Sequence, residues 1–140
     1  MPAGSFAVST SQTMQFSDIT AKIQKAVTEN GILAGVCHVY NPHTTAGLTI
    51  NEGADPAVQT DILAALQKIV PMNHPYQHLE GNSPAHVMTS LVGSSVTVFI
   101  ENGQLQLGTW QKIFFCEFDG PRSRKVLWRI VSQDSEKGRP

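Results

Sequence analysis

Apolar and polar residues alternate over residues 6–15, among several Ser and Thr, and a period of two predicts a first strand there. The period then lengthens. Ile19, Ile23 and Val27 recur four residues apart, Asp18 stands where an N-cap belongs, and Asn30-Gly31 supplies a stop, so a helix is expected between them. Residues 32–40 and 44–50 read as two further strands, broken at Asn41-Pro42 and joined as a hairpin or an arch. Asp55-Pro56 opens a second helix with a capping carboxylate and a proline that needs no hydrogen-bond partner. Val58, Ile62, Ala65, Leu66 and Ile69 give that helix its apolar face, and Pro71 ends it. Residues 72–83 form a polar loop, longer than compact domains usually carry without a use for it. Ser83-Pro84 starts a short third helix through Leu91, stopped by Gly93. The remainder reads as strands at 94–100, 104–107, 110–118 and 124–131, with a hairpin turn at Asn102-Gly103 and a second break at Asp119-Gly120-Pro121. Residues 135–140 are a charged tail with nothing to pack, and fraying is expected.

These elements predict one α+β domain over residues 1–140: a mixed, largely antiparallel curled sheet of six to eight strands with two or three helices, the two longer ones on one face. Sequential hairpins favour that arrangement over repeated βαβ units. Composition agrees, since 41% hydrophobic and 15% charged residues suit a folded chain. A net charge of −1 argues against a nucleic-acid partner, although Arg122, Arg124, Lys125 and Arg129 form a local cluster able to hold a small anion. No apolar run reaches the roughly 18 residues of a membrane span, and residues 1–10 lack the basic and apolar regions of a secretory signal, so no membrane partner and a cytoplasmic location are expected. Cys37 and Cys116 sit in apolar strand-like runs and read as buried free thiols.

Candidate chemistry lies in three segments. His43-Thr44-Thr45 falls between two strands, with Asn51-Glu52 at the far end of the second; a hydroxyl-rich turn bearing an imidazole suits a ligand or metal mouth, though turn histidines are more often merely solvated. His78 and His86 stand eight residues apart, in the long loop and the first turn of the third helix. Neutral imidazoles are good zinc ligands, but this spacing matches no tight zinc signature. Glu117-Phe118-Asp119-Gly120-Pro121-Arg122-Ser123-Arg124 sets paired acids before two arginines, whose planar guanidinium suits phosphate; the competing reading is a surface turn whose charges pair with one another. Asp61 is expected on the flank of the second helix's buried face, where a carboxylate needs a partner. Gln111 and Glu117 share one strand parity, while Trp110, Phe114 and Phe118 share the other and are expected in the core.

At His43-Thr44-Thr45, Asn51-Glu52, Asp55-Pro56, Asp61, His78, Asn82, Ala85-His86, Gly93, Leu107-Gly108-Thr109-Trp110-Gln111, Glu117 and Gly120-Pro121-Arg122-Ser123-Arg124, the sequence resembles the YjbQ-like family. The resemblance is densest from His43 to Arg124 and implies a mixed α+β fold, a homotrimer, and a polar cleft near subunit boundaries. Members have been described as secondary thiamine-phosphate synthases, which join an aminopyrimidine diphosphate to a thiazole phosphate and release pyrophosphate. In that reading His43, His78 and His86 hold a divalent metal, zinc or magnesium, and Arg122 and Arg124 clamp phosphate. Thr45, Asn51, Asn82 and Gln111 are the further substrate contacts, and Glu52, Asp61 or Glu117 is the general base, an additional ligand, or a partner that orients one. Met88 stands where relatives often carry a basic residue, which removes an anion contact if that residue makes one. Two alternatives stay open: metal-dependent hydrolysis of a small metabolite, and a non-catalytic trimer that binds a small anionic or phosphorylated metabolite. The absence of an evident nucleophile paired with a base keeps the second in play.

Overall fold

The stretch read as a single first strand divides in two. In the computed structural model, which describes residues 1–133, β1 (Ala3–Ser9) and β2 (Gln15–Asp18) belong to different sheets. β1 ends at Ser9, and Thr10 beyond it still donates its N–H to the Arg122 carbonyl at 2.9 Å, while its hydroxyl donates to Glu117 Oε1 at 2.8 Å and accepts the Arg122 N–H at 3.0 Å. The tail at 135–140 lies outside the described residues.

α1 (Thr20–Glu29) buries Ile23 and Val27 on one stripe, with Ile19 just before it. Asp18 accepts the Thr20 N–H at 2.9 Å, one residue outside the cap position expected of it. β3 (Gly35–Tyr40) and β4 (Ala46–Glu52) enter different sheets, so their connection is an arch rather than a hairpin. α2 (Pro56–Ile69) starts at Asp55, whose side chain accepts the Ala57 N–H at 2.9 Å. α3 (Ser83–Val92) follows the long loop, and the chain finishes through β5 (Ser95–Glu101), β6 (Gln104–Leu105), β7 (Gln111–Glu117) and β8 (Ser123–Ser132). Asn102 and Gly103 both take positive φ, 52° and 74°, as the tight turn between β5 and β6 demands.

All pairings are antiparallel. One sheet runs β1-β8-β3-β5-β6 and the other β2-β7-β4. The expected α+β fold with a curled, largely antiparallel sheet is realised as two packed sheets, with eight strands and three helices among the described residues. Between them lies the main core: Cys37, Val39, Val98, Ile100, Val126 and Ile130 from the first sheet, Leu48, Ile113 and Phe115 from the second, closed by α1. Phe114, Cys116 and Phe118 point the other way, into a second core with Leu66, Val70, Ala85 and Met88 from the region of α2 and α3. β7 is thus buried on both faces, which explains its unbroken apolar run. The helices differ from expectation, because α1 joins the main core while α2 and α3 cover the second sheet. Of the predicted apolar face of α2 only Leu66 is buried, and Ile69 is 65% exposed. Trp110, expected in the core with Phe114 and Phe118, is 63% exposed. No helix among the described residues is long and apolar enough to cross a membrane.

The outward face of the first sheet stays open. Val36 lies between Phe99 and Val131 in the register, and Tyr40 pairs with Leu127 four residues along. Phe99 is 64% exposed. This contrast between inner and outer faces is measurable. Phe115→Ala empties a site with no exposure and is expected to cost about 3–5 kcal/mol in chemical denaturation, whereas Phe99→Ala should change stability by no more than about 0.5 kcal/mol.

Candidate functional site

Three chain segments meet at one end of the two sheets because Glu117, the last residue of β7, pairs with Ala46, the first of β4. The arch at 41–45, the turn at 118–122 and the start of α3 converge there around a cleft of ≈ 400 Å³. Asn41, buried, folds the arch by accepting the His43 N–H at 3.0 Å and donating to the Ala46 carbonyl. His43, His78 and His86, from three separate segments, all line this cleft, together with Thr45, Glu80, Asn82, Asp119, Arg122 and Arg124.

Beneath the cleft lies a buried ion pair. Glu117 has no exposure and Arg124 only 7%. Glu117 Oε1 accepts from Arg124 Nε and from the Thr10 hydroxyl, each at 2.8 Å; Oε2 accepts from Arg124 Nη2 and from the Asp119 N–H at 3.1 Å. Burial alone pushes the Glu117 carboxyl up, but the hydrogen bonds from Arg124, Asp119 and Thr10 and the guanidinium charge outweigh it and hold the group below its ordinary value of 4.5. Glu117 does not itself line the cleft; its oxygens are committed to Arg124, Thr10 and the Asp119 N–H. Thr45, expected at the substrate, also serves the pair, its hydroxyl accepting from Arg124 Nη2 at 2.9 Å. Arg124 therefore spends three of its five N–H groups on protein; the two on Nη1 have no protein acceptor among the described residues.

His43 Nε2 accepts the Lys125 backbone N–H at 2.9 Å, which puts the imidazole proton on Nδ1. Burial and then the Arg124 charge hold its pKa below the ordinary 6.5, so the ring is neutral at pH 7 and donates through Nδ1. The nitrogen most often used for a metal is thereby occupied. His78 and His86 stand edge to face with ring centroids 5.3 Å apart. Among the described residues no three His, Cys, Asp or Glu side chains are placed to hold one ion, although the three histidines expected to hold zinc or magnesium line the same cleft.

Asp119 and Glu80, which strand parity did not single out, are the carboxylates that face the cleft. Asp119 accepts from Arg122 Nη2 at 3.0 Å and from Asn82 Nδ2 at 2.9 Å, and its backbone carbonyl accepts from Arg122 Nε at 2.8 Å. Arg122 is 50% exposed on its side chain. With its nitrogen turned to Asp119, Asn82 leaves Oδ1 buried without a donor, an omission costing about 1–3 kcal/mol. Asn51, Glu52, Gln111 and Asp61 are not in the cleft. Glu52 lies at the other end of β4, roughly 20 Å from Ala46 at about 3.3 Å per residue, and pairs with Gln111. There Glu52 accepts the Ala54 and Asp55 N–H groups, Asn51 accepts the Glu52 N–H, and Gln111 accepts the Gly108 N–H, so all three build turns. Asp61 is exposed on α2. Parity had predicted which side of a strand these residues take, and it carries no information about which end lies at the cleft.

Removing Glu117 leaves the Arg124 charge buried and unpaired. Glu117→Ala is therefore expected to cost about 3–5 kcal/mol in urea denaturation. The pH dependence has a defined sign. Because the folded-state pKa of Glu117 is depressed, its contribution is present above the ordinary carboxylate value and lost as pH falls through the folded one. In Glu117→Gln the acid limb of the stability curve across that window should flatten.

The chain's relatives share this architecture. The model of the family described as UPF0047 protein YjbQ-like matches residues 4–133. The UPF0047 protein MJ1081 of Methanocaldococcus jannaschii is 48% identical over 126 residues, 90% of this chain and 91% of its own. A YjbQ/UPF0047 protein from Clostridium acetobutylicum, solved by crystallography, superimposes with a TM-score of 0.89 at 54% identity, covering 91% of this chain and 98% of that one. The crystal structure of the protein APE1520 from Aeropyrum pernix gives 0.90 at 36% identity, covering 95% and 100%. A match of this length, with the same fold at such identities, leaves one conclusion: the chain belongs to the YjbQ-like UPF0047 family.

Proposed function

We propose that the cleft binds a small metabolite through a phosphate or comparable anionic group. The observation that carries this is the half-used guanidinium of Arg124. One edge is fixed by Glu117 and Thr45, and the Nη1 edge remains for the cleft, so its N–H fork is oriented before a ligand arrives. His43 adds a neutral donor through Nδ1, and Arg122 can exchange its exposed contact with Asp119 for a ligand oxygen. Met88 is buried against α3's neighbours and adds nothing to anion binding. The reaction that the family resemblance implies, transfer between a phosphorylated pyrimidine and a thiazole phosphate, is a substrate pair of this class.

Calorimetric titration with inorganic phosphate and with phosphorylated pyrimidine and thiazole ligands tests the reading, alongside an assay of pyrophosphate release. Arg122→Ala removes a charged hydrogen bond from a half-exposed position, so about 1.5 kcal/mol, or roughly tenfold in affinity, is the expected loss. Binding left unchanged both in Arg122→Ala and in His43→Ala would overturn the assignment. A loss of turnover larger than the loss of affinity would mark Arg122 as acting on a leaving diphosphate. The proposed contacts are protein N–H groups, so chelation of divalent ions is expected to leave the affinity unchanged.

A homotrimer is part of the same proposal, supported by the apolar outward face of the first sheet around Phe99, Val131 and Tyr40. Light scattering that gives a monomer at micromolar concentration would remove it.

A further inference from the structure

The charges around the cleft are not those of a plain anion hole. Four charged side chains line it, two of each sign: Arg122 and Arg124, Glu80 and Asp119. Glu117, buried behind Arg124, brings the balance of these acidic and basic side chains to one net negative charge. Arg122 stands on Asp119, and apart from it the donors and the carboxylates are grouped separately. Arg124, Thr45 and His43 form a donor side where β4 and β8 begin, tied together by the Arg124–Thr45 and His43–Lys125 hydrogen bonds. Asp119 and Glu80 form an acceptor side at the start of α3, and the Asn82 amide nitrogen reaches toward both, at 2.9 and 3.5 Å. That orientation leaves Asn82 Oδ1 as another acceptor without a donor.

A ligand that is only an anion would satisfy the donor side and lie against two carboxylates, which repel it. A ligand with a positive charge of its own, a few bonds from the anion, is complementary to both sides. We infer that the cleft selects small molecules carrying a protonated nitrogen close to their anionic group, with Asp119 and Glu80 as the specificity-determining residues. This rests on the anion-binding reading of the same cleft and narrows its ligand class. The volume of ≈ 400 Å³ falls in the range of small-molecule sites. Arg122 couples the two sides: an anion that draws it from Asp119 frees that carboxylate for the ligand's nitrogen.

Phosphoethanolamine and ethyl phosphate separate the two ideas, because they differ only by a terminal ammonium. At neutral pH the wild-type protein is expected to bind phosphoethanolamine at least tenfold more tightly. Asp119→Asn and Glu80→Gln together should reduce that preference below threefold and leave ethyl phosphate binding as strong or stronger. Glu80 is exposed, so Glu80→Gln alone keeps the comparison available in a folded protein if the Asp119 change disturbs the turn, and it should lower the preference severalfold. Equal binding of both probes by the wild type, or a preference that survives both substitutions unchanged, overturns the inference while leaving anion binding intact. Failure to bind either probe overturns the anion reading itself, and this inference with it.

Discussion

The ion pair between Glu117 and Arg124 ties the two sheets together at the end where the cleft lies. Glu117 closes β7 in the smaller sheet, Arg124 opens β8 in the larger one, and the two sheets meet at their side chains. Thr10, at the crossing from β1 toward β2, and Thr45, just ahead of β4, complete the hydrogen bonds. Two charges withdrawn from water lose far more solvation than a single contact restores, so such a pair is tolerated only with nearly every lone pair and N–H satisfied. Here the carboxylate accepts four hydrogen bonds. These hydrogen bonds tie together the segments at the end of the molecule that bears the cleft.

Several site features follow from this constraint. A guanidinium held along one edge cannot swing, so the remaining N–H pair has a defined direction without further ordering. Its charge helps to keep His43 neutral, and the Lys125 amide, one residue beyond Arg124, fixes the tautomer. The Asp119 N–H is fixed by the same carboxylate, which sets the turn from which Asp119 and Arg122 reach the cleft. One buried pair thereby orders both the donor and the acceptor side.

The choice of two sheets over one curled sheet has a packing origin. β7 carries Ile113 and Phe115 on one face and Phe114, Cys116 and Phe118 on the other, and a strand apolar on both faces needs a layer on each side. The larger sheet with α1 provides one layer, α2 and α3 the other. α2 covers its side incompletely, leaving Ile69 exposed, and the open face of the larger sheet adds a second apolar surface.

Periodicity, caps and turn residues were enough to place three helices and nearly all the strands, because local geometry depends on residues a few positions apart. The family pattern likewise marked His43, His78, His86, Asn82, Arg122 and Arg124, which do meet in one cleft. It could not assign their roles. Whether an acid is a base or a buried staple depends on what surrounds it: pairing between the acids and arginines of residues 117–124 was one of the two readings of that segment, but its burial between two sheets was not legible there. Parity gave Gln111 and Glu117 one face, and only the pairing of β4 with β7 decides that Asn51, Glu52 and Gln111 lie at the end away from the cleft, while Asp61 stands exposed on α2. The paired acids included Asp119 without a role and left out Glu80, and the two share the neighbour Asn82. The sequence by itself determined the elements and the inventory of polar groups; tertiary structure decided which of those groups are consumed in holding the sheets together and which remain for a ligand, because desolvation and hydrogen bonding act between residues that are distant in the chain.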